Sequence, residues 1–245
     1  MTYDHAKTGR RIGEPPSIAA LAAQGLRDMI VGGVLAPGER VIETRVAEQL
    51  GVSRPPLREA MKVLENEGLI QQVPRRGAIV TPLSLHDVYE IVTLRDTLED
   101  MGVRLGVPVH SSERLDRLHV ALDTMEENAR LGREDTATRD SYAFHLALVG
   151  LSGHQRLEDA YRSMALQLLR YMNLNRRVRA EHESLVERAA RHRVVFDLVV
   201  EGDPQRVLDA LTGDASLSFV REFGPGMDSG SPAADAWLAS VLARG

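Results

Sequence analysis

The sequence predicts a mainly α-helical protein built in two parts, of which the second is an all-α bundle of six to seven helices. Aromatic residues make up 4% of the 245 residues, which is too few for a large β-sandwich and typical of helices built on Leu, Val and Ala. After Pro82, apolar residues recur with the 3.6-residue period of amphipathic helices. Before Pro82 the helical segments are shorter, and two short extended pieces flank the sequence "PRRG".

Charge separates the same two parts. The net charge is −5, yet residues 1–82 hold 11 Lys and Arg against 9 Asp and Glu, whereas residues 83–245 hold 19 against 26. A mildly basic first part joined to an acidic second part is compatible with nucleic-acid binding by the first part alone. We expect four segments: a disordered arm over 1–16, a compact domain over 17–82, a helical domain over 83–224, and a tail with a short helix over 225–245.

Composition also excludes several kinds of site and location. The chain has no cysteine, so disulfides and thiolate metal sites are excluded. No apolar run approaches the 18 residues that a transmembrane helix needs, and the polar start does not resemble a signal peptide. A cytoplasmic location is the resulting expectation.

The first part predicts a winged helix-turn-helix. An amphipathic helix over Ser17–Val31 stops at a Gly-Gly pair, and Pro37-Gly38 suits the centre of a type II turn. A short helix over Glu43–Leu50 and a second helix ending near Glu67 follow. The two extended pieces around "PRRG" then form a hairpin with a basic tip. In this arrangement the second helix of the pair enters the DNA major groove and the hairpin reaches the backbone or minor groove.

The start of that second helix, "GVSRPPLREAM", carries the DNA-reading chemistry. Ser53 is placed to be the N-cap, and Pro55 and Pro56 lie in the first turn, where backbone N–H groups have no intrahelical partner. Arg54 and Arg58 are four residues apart and share one face. Two guanidiniums at a helix N-terminus suit phosphates or the O6/N7 edge of guanine.

The stretch "LAPGERVIETRVAEQLGVSRPPLREAMKVLENEGLIQQVPRRGAIV" resembles the DNA-binding domain of GntR-type bacterial transcription regulators. The resemblance implies that Arg54, Arg58 and Arg76 of the hairpin contact DNA, and that Arg45 and Ser53 contact phosphates. At Pro55 the family more often has threonine, whose hydroxyl could bond a phosphate, so that contact is missing here.

The second part predicts consecutive helices with short connectors. The first starts at the capping-box sequence "SLHD" and runs to about Leu105. The others are expected over about 112–131, 134–150, 154–178, 182–201 and 203–223. Within the fourth, His154 is expected to cap the helix start. Together they make an all-α bundle.

The phrases "LRDTLE", "FHLALVGLSGHQRL" and "RHRVVFDLVVEGDPQRVLDAL" resemble the ligand-binding domain called FCD, found in the FadR-like subgroup of the same family. In many members an Asp and three His bind a divalent metal inside the bundle. The matching positions here are His145, His192 and Asp214, with Ser141 in place of the usual Asp. The resemblance therefore implies a site for Zn²⁺, Ni²⁺ or Mn²⁺. The alternative is that these polar residues are hydrogen-bonded to each other or to an effector.

Arg95 in the first bundle helix is a candidate for binding an effector carboxylate in a bidentate manner. Its alternative role is an ion pair with Glu99, one helical turn later. With His145 and His192 it completes the predicted effector-binding set.

The combined reading is a homodimeric transcription regulator, and more specifically a repressor. A small carboxylic acid bound in the bundle controls its affinity for a pseudo-palindromic double-stranded operator. Two other hypotheses remain open. The helical domain could be a metal-dependent enzyme, although no further nucleophile or carboxylate stands out near the two histidines. The chain could also be an architectural DNA-binding protein without an effector, which a bundle filled by side chains would favour.

Overall fold

A computed structural model describes residues 15–212 and 214–243, without the side chains of residues 214 and 215. The predicted disordered arm over 1–16 therefore falls almost entirely outside the described residues. The chain forms two compact units. The first runs to Ile30 and resumes over Leu35–Thr81, and the second contains Val31–Val34 and the chain from Pro82 onward.

The first unit has the predicted order of elements. Helices α1 (Ile18–Val31), α2 (Glu43–Leu50) and α3 (Arg54–Asn66) precede strands β1 (Ile70–Val73) and β2 (Gly77–Val80). The strands pair antiparallel with Ile70 opposite Val80, and Arg40 adds a β-bridge to Ile79.

Local sequence explains where these elements end. Gly51 adopts the left-handed conformation at φ 64° after α2, and its N–H bonds to the carbonyls of Ala47 and Glu48. The Ala36 carbonyl accepts from the Glu39 N–H at 2.9 Å across Pro37-Gly38, with Gly38 at φ 77°, as a type II turn requires.

The apolar faces of α1, α2 and α3 close a small core with the inner face of β2, in which Leu26, Val46, Leu57, Leu64 and Val80 are buried.

The second unit is helical throughout its described residues. Its α-helices are α4 (Leu85–Gly106), α5 (Ser112–Arg130), α6 (Ala137–Gly150), α7 (Gln155–Ser163), α8 (Ala165–Arg179), α9 (Leu185–Glu201), α10 (Pro204–Leu211), α11 (Ser218–Phe223) and α12 (Pro232–Leu242). The capping box expected at Ser84 is present, with Asp87 as its partner, and His154 caps α7 by accepting from the Leu157 N–H at 3.2 Å. Two apolar clusters form the core: one joins α5, α6 and α9, and the other joins the start of α4 to α7, α8 and α12.

Two helices that were expected to be continuous are divided. The one expected over 154–178 breaks at Met164, whose ψ of 3° departs from helical geometry, to give α7 and α8. No glycine or proline lies at this break, and the apolar period of the sequence continues across it. The sequence therefore predicts one helix where the structure has two. The helix expected over 203–223 ends at Leu211, and a 3₁₀ turn over Asp214–Leu217 precedes α11. The bundle before the tail thus has eight α-helices in its described part, one more than the upper expectation.

The segment predicted as a tail contributes to the core of the second unit. Its helix α12 buries Ala234 and Val241, and the Trp237 ring lies 5.7 Å from the Tyr89 ring of α4. Just before α12, the Asp228 carbonyl accepts from the Leu85 N–H at 3.2 Å. The tail helix is therefore anchored on the first turns of α4.

Candidate functional site

The start of α3 has the geometry expected of a DNA-reading helix. Ser53 occupies the N-cap position with extended backbone, but its side chain makes no capping hydrogen bond. An N-cap oxygen accepts from the backbone N–H of the second or third helical residue. Here those residues are Pro55 and Pro56, which have no N–H to give. The adjacent prolines therefore leave the Ser53 hydroxyl outside the cap, at the end of the helix that favours anions.

A basic row follows along the exposed face of α3. Arg54, Arg58 and Lys62 are spaced four residues apart and all are exposed. Arg58 Nε lies 3.0 Å from a carboxylate oxygen of Glu43, with 63% of the Arg58 side chain exposed. Exposed pairs of this kind contribute at most about 1 kcal/mol. The Arg58 guanidinium can therefore leave Glu43 for a base or a phosphate at small cost. The sequence had not singled out Lys62.

The hairpin presents its arginines at a tight turn. The Arg76 N–H donates to the Val73 carbonyl at 3.0 Å, which closes the turn between β1 and β2. Arg75 adopts a positive φ of 66° and Gly77 one of 78°. Arg75 and Arg76 are both exposed at the tip. Arg45 on α2 is exposed as well and pairs with Glu39 at 3.1 Å.

A cavity of about 480 Å³ lies in the second unit among α4, α6, α8, α9 and α10. Four residues singled out from the sequence line it: Arg95, Ser141, His145 and His192. The imidazole centroids of His145 and His192 are 5.5 Å apart, and the rings are nearly perpendicular. The structure therefore brings these predicted residues together. The side chain of Asp214 lies outside the described residues.

Hydrogen bonds define the proton position on His192. Its Nδ1 lies 2.9 Å from the Arg188 carbonyl oxygen, which can only accept, so Nδ1 carries the proton. Its Nε2 therefore accepts from the Ser141 hydroxyl at 3.2 Å. Burial, followed by the nearby His145, lowers the pKa of His192 to about 3. His192 is a neutral imidazole near pH 7.

Beside the cavity, Glu99 is the centre of a buried charged network. Its Oε1 accepts from the Tyr161 hydroxyl at 2.8 Å and lies 3.1 Å from His145 Nδ1. Arg95 Nε lies 3.7 Å from the same oxygen, and Arg95 also donates to Asp96 at 2.6 and 3.0 Å. Burial acts to raise the pKa of Glu99, but His145, Arg95 and the Tyr161 hydroxyl outweigh burial and lower it to about 2. Arg95 thus makes the expected ion pair with Glu99 and also lines the cavity.

The described side chains do not complete a divalent-metal site. His145 and His192 are two nitrogen donors, but no group of three His, Asp or Glu suited to a metal exists among the described side chains. Asp140, the carboxylate nearest to Ser141 in sequence, instead accepts from Asn128 at 2.9 Å and Thr136 at 2.7 Å. The cavity wall is moreover cationic, which disfavours a divalent cation. The metal prediction that includes Asp214 stays untested.

The cationic wall is the part of the site that no sequence motif indicated. Besides Arg95, four arginines on α8 and α9 line the cavity, and no Asp or Glu is among its described lining residues. They are Arg176, Arg179, Arg188 and Arg191, here named the arginine quartet. Glu183, in the connection between the two helices, pairs with three of them. The run "NRRVRAEHESLVERAARHR" contains them all, but it also contains arginines outside the cavity.

Two family descriptions match the chain over the units just described. "Bacterial regulatory proteins, gntR family" matches residues 19–80, and "FCD domain" matches residues 90–214, about half of the chain. The chain belongs to the GntR family of bacterial transcription regulators, with an FCD domain. The resemblance carried by the recognition helix, hairpin and histidine helices is thereby confirmed.

Comparison with individual proteins leads to the same family. The chain is 39% identical over 135 residues to the uncharacterized HTH-type regulator YdhC of Bacillus subtilis, a match that spans 55% of this chain and 60% of YdhC. It is 26% identical to the gluconate operon transcriptional repressor of the same species, over 68% of each chain. A GntR transcriptional regulator from Rhodococcus sp. RHA1 has the same fold, with a TM-score of 0.67 and 24% identity over 85% of this chain and 99% of that one.

Membership of the GntR family makes the protein a DNA-binding transcription regulator whose FCD domain is the effector-binding domain. The winged helix-turn-helix and the helical bundle are the observed counterparts of these two roles. The described helices include none with the length and apolar character needed to cross a membrane.

Proposed function

We propose that this GntR regulator is a homodimeric repressor whose operator affinity is set by a small organic acid in the cavity of the second unit. The observation that carries the proposal is the cavity wall, which has five arginines and two histidines and no carboxylate among its described residues. A space of about 480 Å³ is in the range of small-molecule sites. A wall of that charge selects an anion.

Within this proposal Arg95, Ser141, His145 and His192 bind one end of the effector. Arg95 offers a planar guanidinium suited to a carboxylate. Ser141 and His192 form a hydrogen-bonded pair whose members can exchange partners with an effector hydroxyl or carboxylate. Glu99 holds His145 and Arg95 from behind, so that effector contact at either side chain is transmitted to α4.

The cavity also bears on the two other hypotheses. An architectural protein without an effector has no need of an open polar cavity in its bundle. A metal-dependent enzyme needs a completed metal site or an activated nucleophile, and the described lining residues supply neither. Effector binding accounts for the cavity without additional assumptions.

The operator is selected from random duplex DNA with the full-length protein, and its affinity is then measured with and without a panel of small organic acids. The proposal expects at least one acid to weaken operator binding and to raise the melting temperature of the free protein. If acids bind in the cavity yet leave operator affinity unchanged, effector control is wrong.

On the DNA side we propose that Arg54 and Arg58 read base edges, that Arg45 and Ser53 contact phosphates, and that Arg76 contacts the backbone from the hairpin. All five residues are exposed on the first unit. Phosphate contacts position a protein on DNA, and base contacts specify the sequence.

Replacing Arg76 by alanine should weaken binding to all DNA sequences by a similar factor. A phosphate contact contributes through counterion release, so the slope of log affinity against log salt should fall by about one. Fluorescence anisotropy with the selected operator and a scrambled duplex, over a range of salt concentrations, measures both quantities. A loss confined to the operator would instead make Arg76 a base-reading residue.

The homodimer has a candidate surface on α4. Leu94, Met101 and Leu105 are 47%, 42% and 56% exposed, and their spacing places them within one narrow face of the helix. A second copy of this chain is the proposed occupant, because one winged head buries little DNA and a two-fold protein matches a two-fold operator.

Replacing Leu94 and Met101 together by glutamate should convert the dimer to a monomer at micromolar concentration and weaken operator binding. Light scattering after size-exclusion chromatography gives the mass. Glutamate at Val120, which is 63% exposed on α5, is the matched control and should leave the dimer intact. A wild-type protein that is monomeric without DNA would refute the proposal of a solution dimer.

A further inference from the structure

The arginine quartet has a consequence for the chemical class of the effector. We infer that Arg176, Arg179, Arg188 and Arg191 form a subsite for an anionic group that carries two negative charges. The effector would therefore be a phosphate ester or a polycarboxylate, and not a simple monocarboxylic acid. This inference rests on the proposed function, because it concerns the occupant of the same cavity.

The four arginines of the quartet carry more positive charge than Glu183, the carboxylate that pairs with three of them, can neutralise. Glu183 accepts from Arg179 at 2.9 Å and from Arg191 Nη2 at 3.0 Å. Arg176 donates to the neutral side-chain oxygen of Asn173 at 3.2 Å. Its carboxylate contact is with Glu134 at 3.6 Å, and 74% of that glutamate side chain is exposed to water. Four guanidiniums facing one enclosed carboxylate repel each other strongly in a partly buried site. A bound anion relieves that repulsion, and an anion with two charges relieves more of it.

Arg188 is the member whose N–H groups most clearly lack hydrogen-bond acceptors. It is 8% exposed, and its Nε and Nη1 are buried without a hydrogen-bond partner among the described residues. The nearest carboxylate oxygen, on Glu183, is 3.6 Å from Nε, beyond hydrogen-bond distance. Burial lowers the pKa of Arg188, and its arginine neighbours lower it further despite Glu183. Buried charged donors without acceptors are rare in folded proteins. The side chain lines the cavity, so an anion there can satisfy both N–H groups.

The geometry of the donors indicates an anion with several oxygens. A guanidinium presents its N–H groups as a fork that matches two oxygens of a carboxylate or phosphate. A single carboxylate has two oxygens and can satisfy one such fork well. A phosphate group, or a second carboxylate on the same molecule, supplies the additional oxygens that the remaining guanidiniums require.

The remaining lining residues of the cavity indicate the chemistry of the rest of the effector. Val194, Val195, Leu211 and Met172 contribute an apolar wall, while Ser141 and His192 offer hydrogen bonds to a neutral polar group. The occupant is accordingly a small molecule with a doubly charged head at the quartet, a compact apolar or carbon body, and a polar group near Ser141. A fully hydrated inorganic ion would leave the apolar wall without contacts.

The test compares three anions by calorimetry and thermal shift on the full-length protein, at about pH 8 and at matched ionic strength, where inorganic phosphate is dianionic. Inorganic phosphate and succinate probe the two sources of a double charge, and acetate is the monoanion. We expect phosphate or succinate to bind at least about tenfold more tightly than acetate. Whichever of the two binds more tightly identifies the class of the head group.

The diagnostic variant is Arg188→Gln, with Arg193→Gln as its control. Arg193 lies on the same helix but pairs with Glu126 at 2.8 Å and does not line the cavity. Arg188→Gln should reduce binding of the preferred dianion by about tenfold or more and change acetate binding little. The anion-free protein should not lose melting temperature, because the variant removes a buried charge whose Nε and Nη1 have no hydrogen-bond acceptor among the described residues. A lower melting temperature with unchanged dianion binding would make Arg188 a structural residue.

The outcomes separate this inference from the proposed function. If acetate binds as tightly as phosphate and succinate, and Arg188→Gln changes nothing, the quartet is not a dianion subsite even if a monocarboxylic acid still controls operator binding. If a dianion binds through Arg188 but leaves operator affinity unchanged, the subsite is confirmed and effector control fails. If none of the three anions binds to the wild-type protein, the inference is overturned.

Discussion

Replacing Arg54 and Arg58 together by alanine should weaken specific operator binding by about 2–6 kcal/mol and leave the fold unchanged. A bidentate contact from arginine to guanine discriminates by about 1–3 kcal/mol, and the two side chains share one face at the start of α3. Arg58→Ala alone should cost about 1–3 kcal/mol. Both side chains are exposed, and the ion pair that Arg58 makes with Glu43 contributes little to stability.

Operator Kd values at one fixed salt concentration measure this effect. Arg130→Ala is the control, because Arg130 is 63% exposed on α5 and its replacement removes one positive charge from the second unit and none from the first. Binding to random DNA should fall less than binding to the operator. Unchanged operator affinity in the double variant would mean that α3 is not the reading helix.

Replacing Glu99 by glutamine should lower the free energy of unfolding by about 3–5 kcal/mol near pH 7, the range for removing one partner of a buried ion pair. Glutamine keeps the size of the side chain and can still accept from the Tyr161 hydroxyl. It removes the negative charge between Arg95 and His145, both of which contact Glu99. Urea denaturation of the two proteins gives the difference.

The contribution of Glu99 to the free energy of unfolding should depend on pH in a definite direction. The pKa of Glu99 in the folded protein is lowered from its ordinary value of 4.5 to about 2. Its stabilising effect is therefore fully present above about pH 4.5 and is lost as the pH falls toward 2. The difference between wild type and Glu99→Gln should shrink over that window. Glu90→Gln, on the same helix with its side chain 64% exposed, should show almost no effect at any pH.

The DNA-reading half could be predicted because its signals are local. Pro55, Pro56 and the glycines at positions 51 and 77 act within a few residues of where they stand, so they define helix starts, ends and the hairpin tip. The missing cap at Ser53 could also have been predicted from the sequence, since the residues whose N–H groups would donate to Ser53 are prolines.

The effector cavity was predicted only where family resemblance supplied positions. Ser141, His145 and His192 converge as the helical positions implied. No sequence pattern predicts that the arginine quartet lines a cavity, because an arginine on a polar helix is expected to be a solvated side chain. The members of the quartet meet where the chain turns at Glu183, which pairs with Arg179 of α8 and Arg191 of α9. The break between α7 and α8 at Met164 likewise has no glycine or proline to indicate it in the sequence.

The most direct test of the whole account is the operator Kd of wild-type protein and Arg188→Gln, each measured across a concentration series of the anion that binds the cavity most tightly. We predict that the anion changes the wild-type Kd by about tenfold or more, and that Arg188→Gln shifts this response to much higher anion concentration without changing the anion-free Kd. If the anion occupies the cavity and the wild-type Kd stays constant over the whole series, the cavity does not control DNA binding and the account is wrong.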